Sequence, residues 1–150
     1  MMLEALLAYV HILAFLTLVV FLASEAALCR AEWLNEAVVR RLARVDLIYG
    51  IAAGATLATG LLRVYLGAKG SGWYWAHPLL HAKLGLFVGI GLLSISPTLA
   101  FRRWGRALDA GQGLPAAAEV GRVRRRVLLQ AHLLPLIPLA AVFLARGLGR

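Results

Sequence analysis

Residues 5–24, ALLAYVHILAFLTLVVFLAS, form an apolar run with no charge apart from any that His11 carries. An α-helix rises about 1.5 Å per residue, so about 20 such residues cross the hydrocarbon layer of a bilayer, which is about 30 Å thick. Further stretches at 47–62, 84–101 and 127–145 are also uncharged and mostly apolar. The sequence therefore predicts an all-α integral membrane protein with four spans.

The composition supports one membrane domain that covers residues 1–150. Hydrophobic residues make up 61% of the chain, which is high for a soluble domain. We expect the four spans to form a four-helix bundle with up-down-up-down topology. The first run follows Met1–Glu4, which is acidic where a signal peptide is basic, so we expect it to be retained. The spans are placed at about 5–28, 46–66, 78–100 and 127–146.

The net charge of +9 is concentrated in two connecting segments. Residues 29–45 carry four arginines and residues 101–126 carry seven, whereas residues 67–77 carry only Lys69. The positive-inside rule then predicts that the two basic segments are cytoplasmic loops of a bacterial inner membrane protein, with both termini on the outer side. Basic loops of this kind attract anionic lipid, and we expect no nucleic-acid partner.

Local signals mark some of the helix ends. Glycines and three consecutive aromatic residues predict that residues 67–77 are a loop at the outer interface. Pro78 suits the first position of a helix, which makes His77 the predicted N-cap residue. Cys29 is the single cysteine, so an internal disulfide and a cysteine-based zinc or iron–sulfur site are excluded. We interpret it as a small apolar residue at a helix end.

Ionisable residues lie in or beside each apolar run. A charged side chain at the centre of a membrane helix costs about 2.5–3.5 kcal/mol on insertion scales, so such residues usually face the interior of a bundle and serve a function there. Under the predicted topology they fall into two layers. The outer layer contains His11, Arg63, His81, Lys83 and Arg146. The inner layer contains Glu25, Asp46 and His132.

The outer layer holds cations and histidines, and Glu4 is the nearest carboxylate. Buried charges normally pair, so the missing anion is predicted to be a lipid phosphate, an acidic substrate or the propionates of a haem. His11 and His81 have matched depths on different helices, which suits two axial ligands of one haem iron. The propionates would then pair with Arg63, Lys83 or Arg146.

Other interpretations of the outer layer stay open. Lys83 is two residues from His81, and two residues turn a helix by about 200°, so these side chains cannot share a face. One of them can extend to the membrane surface instead. Arg63 and Arg146 lie near helix ends, where arginine also serves as an anchor. The layer is therefore a haem site, a site for an anion or anionic lipid, or a structural feature.

The inner layer has three interpretations as well. Glu25, Asp46 and His132 form a hydrogen-bonded structural cluster, a proton-transfer or redox group, or a metal site. Asp46 opens the second span and is also a candidate helix cap. Pro135 and Pro138 interrupt the fourth run, and a kink there would bring His132 near a cavity.

Four strings carry a resemblance to a known family. They are RVDLIYG at 44–50, TGLLRV at 59–64, KLGLF at 83–87 and ARG at 145–147. Together they resemble a family of small bacterial four-helix membrane proteins that is catalogued as a domain of unknown function. The resemblance covers nearly the whole chain and implies a four-helix integral membrane fold without an established activity.

A more distant similarity is to the bacterial four-helix protoporphyrinogen oxidase. It rests on His11 early in the first helix, on Thr59–Gly60 in the second and on Lys83 in the third. The resemblance implies haem b binding and electron transfer out of a tetrapyrrole. The chain departs from that family at Leu79, where the family has tryptophan, and at 94–97, where a Tyr–His pair is absent.

The sequence offers no standard catalytic motif, and two functions remain. The first is a b-type haem protein that transfers electrons to or from a quinone or a tetrapyrrole. The second is a non-enzymatic membrane protein that binds an anion or anionic lipid, as a permease, a homo-oligomer or an accessory subunit of a larger membrane complex.

Overall fold

A computed structural model describes residues 2–67 and 69–147, and every regular element in these ranges is helical. The helices are α1 (Met2–Leu28), α2 (Glu36–Leu66), α3 (Ser71–Trp75), α4 (Pro78–Asp109), α5 (Ala117–Leu133) and α6 (Leu136–Ala145), with a 3-10 turn at Ala31–Trp33. The helices α1, α2 and α4, and the pair α5–α6, are each long and apolar enough to cross a membrane. The all-α, four-span prediction is confirmed.

The four spans pack as a bundle that is tighter at one end. The helix α1 packs along α2, and α4 packs against α2, α5 and α6. The helix α1 also contacts α5, but it scarcely touches α6. Because α6 follows α5 in the same span, the bundle is closed where Glu25 lies and is looser where His11 lies.

The core follows the same asymmetry. The larger apolar cluster includes Leu22, Leu42, Phe101 and Trp104 and lies in the half that contains Glu25. A smaller cluster of Val64, Leu80 and Leu144 lies in the other half. Large apolar side chains cover the outside of the bundle, as expected for a surface that faces lipid tails.

Two helices begin with side-chain caps. The Oδ1 atom of Asn35 accepts a hydrogen bond from the backbone N–H of Val38 at 2.9 Å, before the start of α2. His77 accepts from the backbone N–H of Leu79 at 3.3 Å, with Pro78 at the first position of α4. The prediction that His77 is an N-cap residue is confirmed.

The helices extend beyond the predicted spans. The helix α2 begins at Glu36 and not near residue 46, and α4 continues to Asp109 and not to residue 100. The reason is that 36–45 buries Val39 and Leu42 against the bundle, so this basic segment is an amphipathic helix and not a loop. The connection between α1 and α2 is 29–35, and the connection between α4 and α5 is 110–116. The depth of the bilayer and the orientation of the termini stay predictions.

The fourth span is broken at Leu134 and Pro135, whereas Pro138 lies inside α6. The helix α5 ends at Leu133 and α6 begins at Leu136. Pro135 and Pro138 have no backbone N–H, so each removes one hydrogen bond from the helical ladder.

Buried and exposed polar contacts join α4 to α5 across the 110–116 turn. The Nε1 atom of Trp104, a residue that is 2% exposed, donates to Glu119 Oε1 at 2.9 Å. Arg103 forms an ion pair with the same carboxylate. Nearby, Arg40 pairs with Asp109 at 3.0 Å and so links α2 to the end of α4.

We predict that Glu119→Ala lowers the free energy of unfolding by about 1–3 kcal/mol, because the buried indole N–H of Trp104 loses its acceptor. The measurement is denaturant unfolding in mixed micelles followed by circular dichroism. The matched control is Glu32→Ala in the exposed 3-10 turn, which should change stability by less than about 0.5 kcal/mol. Equal losses in both variants would show that the hydrogen bond does not stabilise the fold.

Candidate functional site

Two adjoining hollows lie between α1, α2, α4 and α6 in the looser half of the bundle. Their volumes are about 530 and 310 Å³. Both are lined by His11, Arg63 and Lys83 together with apolar side chains. We call them together the His11 cavity.

The His11 cavity opens sideways, toward the surface that faces lipid. Ile12, Leu16 and Val142 line it and are nevertheless 53%, 52% and 54% exposed. These residues belong to α1 and α6, the two helices that scarcely touch. Pro138, on α6, also lines the cavity. The cavity is therefore open on the side where these apolar residues face outward.

His11 is held in one orientation by α2. Its Nδ1 atom lies 2.9 Å from Thr59 Oγ1, and the same hydroxyl lies 2.7 Å from the carbonyl oxygen of Ala55. Because the hydroxyl has one proton, which it donates to the carbonyl, it accepts a hydrogen bond from His11 Nδ1–H. Within the described chain, the ring of His11 also forms a hydrogen bond with the backbone of Thr56.

Gly60 makes room for the imidazole. A Cβ atom at this position would lie 3.2 Å from His11 Cε1, which is tighter than ordinary van der Waals contact. Gly60 therefore lets the ring of His11 lie against the backbone of α2 and beside the cavity.

Arg63 and Lys83 bring positive charge to the cavity from α2 and α4. Neither forms an ion pair within residues 2–67 and 69–147, and no carboxylate lines the cavity there. Lys69 stands at the smaller hollow, with its Nζ atom 4.2 Å from the ring centroid of Trp73. The cavity is thus apolar in its walls and positive at one end.

His81 lies outside the cavity. It is exposed, and its Nε2 atom lies 2.9 Å from the carbonyl oxygen of Trp75. Because Lys83 faces the cavity, the turn of about 200° between the two residues directs His81 away from it. The structure does not bring His11 and His81 together, so its geometry does not fit the predicted pair of haem ligands.

Arg146, the remaining residue of the predicted outer layer, follows α6 as its C-cap residue. It is exposed and does not line the cavity. Three of the five outer-layer residues therefore converge: His11, Arg63 and Lys83.

The inner layer is present in a changed form. Glu25 and Asp46 are 1% and 6% exposed, on α1 and α2. The hydroxyl of Thr98 donates to Asp46 Oδ1 at 2.8 Å, and the hydroxyl of Tyr49 donates to Gln130 Oε1 at 3.1 Å. We call these five residues the buried polar cluster.

His132 does not belong to the buried polar cluster. It is exposed, and its Nδ1 atom donates to the carbonyl oxygen of Leu128 on its own helix at 2.6 Å. Gln130, two residues earlier, faces the interior instead. The predicted grouping of Glu25, Asp46 and His132 is corrected accordingly, and no group of three or more metal-ligating side chains is found within the described residues.

The sequence search missed Tyr49, Thr98 and Gln130 because it sorted only ionisable residues. Two signals point to them in retrospect. Tyr49 is three residues after Asp46, so the two share a helix face. Gln130 is the only amide side chain in the apolar run 127–145.

The sequence matches the model of one protein family over residues 3–149. The chain belongs to this family. It is described as Predicted membrane protein (DUF2214). The predicted membership of a membrane family of unknown function is thereby confirmed, while the more distant relationship to the haem-binding oxidase is not shown. No curated protein and no solved structure matches the chain.

Cys29 lies one turn beyond the buried polar cluster, just after α1 ends. It is fully buried, with its Sγ atom 4.0 Å from the carbonyl oxygen of Val120. Burial is the main cause that raises the pKa of the thiol to about 11, with a smaller opposite effect from Arg124. The thiol is therefore protonated at neutral pH, as suits a packing residue.

We predict that a maleimide labels Cys29 in the folded protein at least about tenfold more slowly than an exposed thiol, since the thiolate is the reactive form. The rate should rise as the pH approaches 11. The reference is Gln112→Cys in a Cys29→Ser background, because Gln112 is exposed in the 110–116 turn. Mass spectrometry measures both rates. Labelling of Cys29 as fast as the reference at pH 7 would contradict its burial.

Proposed function

We propose that this DUF2214 protein binds an amphipathic anion in the His11 cavity. Such a ligand has a negatively charged head and an apolar body. The observation that carries the proposal is the convergence of His11, Arg63 and Lys83, from three helices, on a cavity that no described carboxylate lines. Partly buried cations without a counter-charge are costly, and an anionic head group would supply that charge.

The walls of the cavity suit the apolar body of the ligand. Phe15, Leu84, Phe87 and Ile137 contribute apolar surface from three helices. A volume of about 530 Å³ lies within the usual range for small-molecule sites, about 300–1,000 Å³. The lateral opening between α1 and α6 would admit a ligand that is dissolved in the bilayer.

His11 would complete the recognition of the head group. Its Nδ1–H bonds to Thr59, so Nε2 is the ring nitrogen that would contact a ligand. In its protonated form His11 would donate from Nε2 to an anionic oxygen, and in its neutral form it would accept from a protonated head group. The fixed ring lowers the entropy lost on binding.

A b-type haem is a specific candidate within the same ligand class. It has anionic propionates and an apolar macrocycle, and His11 Nε2 is oriented by a hydrogen bond at the opposite nitrogen, as is usual for metal-ligating histidines. Arg63 and Lys83 would then hold the propionates. A haem bound there would supply one-electron transfer, with a quinone or another tetrapyrrole as partner. His11 would be the single histidine ligand, since His81 lies outside the cavity.

We place the protein in the bacterial inner membrane, with both termini on the outer side. The support is the concentration of arginines beside the connections 29–35 and 110–116. The His11 cavity then lies in the outer half of the bilayer. We propose an anionic lipid of that leaflet as the ligand. Assembly with a second copy or with a larger complex would leave the site unchanged.

The test of anion binding uses the full-length protein in neutral detergent with added phosphatidylglycerol, or phosphatidylcholine as the uncharged reference. We expect phosphatidylglycerol to raise Tm and phosphatidylcholine to do so less. The double variant Arg63→Gln, Lys83→Gln should weaken phosphatidylglycerol binding at least about tenfold, because each lost charged hydrogen bond contributes about 1.5–3 kcal/mol.

A control variant and a second test variant distinguish binding in the cavity from an effect of the protein's overall charge. Arg146→Gln removes a cation near the same end of the bundle but outside the cavity, and it should leave the stabilisation intact. Gly60→Val keeps every charge and fills the space beside His11, so it should weaken binding. If Arg146→Gln weakens binding as much as the double variant, the anion binds to the surface and the proposal fails.

Absorption spectroscopy decides between haem and other amphipathic anions. Protein expressed with added haem should show a stoichiometric Soret band if haem is the ligand, and His11→Ala should abolish it, whereas His81→Ala should not. Stoichiometric absence of the band would exclude haem. The phosphatidylglycerol experiment would still stand, because it does not depend on a chromophore.

A further inference from the structure

We propose that Glu25 and Asp46 form a proton-binding site inside the bundle, in which Glu25 carries the proton and Asp46 carries the negative charge. Neither residue lines the His11 cavity, so the site is separate from the proposed anion site. The observations that support it are independent of those at the cavity. The ligand class is a proton, exchanged on the carboxyl group of Glu25.

Asp46 is also buried, but a hydrogen-bond donor and a cation on α4 favour its ionised form over that of Glu25. The hydroxyl of Thr98 on α4 donates to its Oδ1 atom at 2.8 Å. Arg102 is one helical turn further along α4, and its positive charge acts on Asp46. A donor and a cation on the facing helix both stabilise the charged form.

Glu25 has neither a hydrogen-bond donor nor a cation beside it within the described residues. It is 1% exposed, and its Oε1 atom is shielded and has no hydrogen-bond partner within the described residues. No cation lies within ion-pair distance of it in residues 2–67 and 69–147. The hydroxyl of Tyr49 donates to Gln130 and so does not serve Glu25. An ionised Glu25 would be a buried charge without compensation, and a proton removes that charge.

The surroundings add a second reason. The like charge of Asp46 acts on Glu25. When two carboxyl groups share a buried site, the first ionisation opposes the second, so one of them keeps its proton. Thr98 and Arg102 favour ionisation of Asp46, which leaves the proton on Glu25.

The titratable and charged groups that surround the site come from every helix packed against it. They are the Cys29 thiol at the end of α1, Asp46 and Tyr49 on α2, Arg102 on α4 and Arg124 on α5. Arg124 acts on Cys29, and its Nε atom is buried without a partner in the described chain. The amide of Gln130 completes the site without charge.

A proton held here links charge to packing. Glu25 lies where α1 meets α2 and α5, in the tighter half of the bundle. Loss of the proton would place a second negative charge beside Asp46 at this junction. The site therefore gives the protein a group whose proton release opposes the close packing of α1 on its neighbours.

The test is attenuated-total-reflection infrared spectroscopy of the full-length protein in lipid bilayers at pH 7. We expect a carbonyl-stretch band of about one protonated carboxyl group per chain, with a downward shift in D₂O. Glu25→Gln should remove the band, whereas Asp46→Asn should retain it. Asp109→Asn in the exposed end of α4 is the matched control and should change nothing.

Isotope labelling tests the assignment without a substitution, in case a variant does not fold. Glutamate labelled with ¹³C at its carboxyl group should shift the band of the unsubstituted protein, and labelled aspartate should not. Absence of the band at pH 7, or its assignment to aspartate, would overturn the proposal. Loss of the band on addition of NaCl at constant pH would also overturn it, since the site would then bind a metal cation in place of a proton.

Discussion

A bilayer supplies neither hydrogen bonds nor counter-charges, and this single constraint shapes the protein. Backbone groups meet it by forming helices that run almost without interruption through each span. Side chains meet it by the direction in which they face. Large apolar residues lie on the outside, and polar side chains turn inward at the two ends of the bundle. Both candidate sites are consequences of that sorting.

The His11 cavity depends on a difference between the two ends. The fourth span follows α1 closely as α5 but not as α6, and the two parts are separated at Pro135. In the tighter half, Leu18, Phe101 and Val127 fill the interior with side chains. In the looser half, the smaller cluster leaves unfilled space next to Gly60, where a larger residue would contact His11. The same bundle is therefore a packed core at one end and a cavity at the other.

The fold could be predicted from the sequence because hydrophobic run length is a local property. Each run is long enough for one span, and lipid permits few alternatives to a helix. The ends of the helices were harder to predict from the sequence. The segment 36–45 reads as a basic connection, and its burial of Val39 and Leu42 depends on helices that lie far away in the sequence.

The site could be predicted only in depth, not in azimuth. Depth follows from counting residues, which placed His11, Arg63 and Lys83 in one layer. Which face of α4 points inward depends on the neighbouring helices. The rotation of about 200° between two residues showed that His81 and Lys83 face different directions, but not which of them faces the cavity. Likewise Gln130 and His132 differ by two residues, and only the packing of α5 shows that the amide is buried. Sorting by charge also passed over Tyr49, which is polar but neutral at neutral pH.

The two polar sites carry opposite charges, but they are too far apart to compensate each other. One gathers cations without a carboxylate, and the other gathers two carboxyl groups of which one has no partner. His11 and Glu25 are 14 residues apart on one helix, or about 21 Å along its axis. At an effective dielectric constant of about 20, two unit charges at that separation interact by only about 0.8 kcal/mol. This is below the cost of about 2.5–3.5 kcal/mol for a single charge in the membrane. Each site must therefore be neutralised locally. We propose a proton for the acidic site and an anion from outside the described chain for the cationic one.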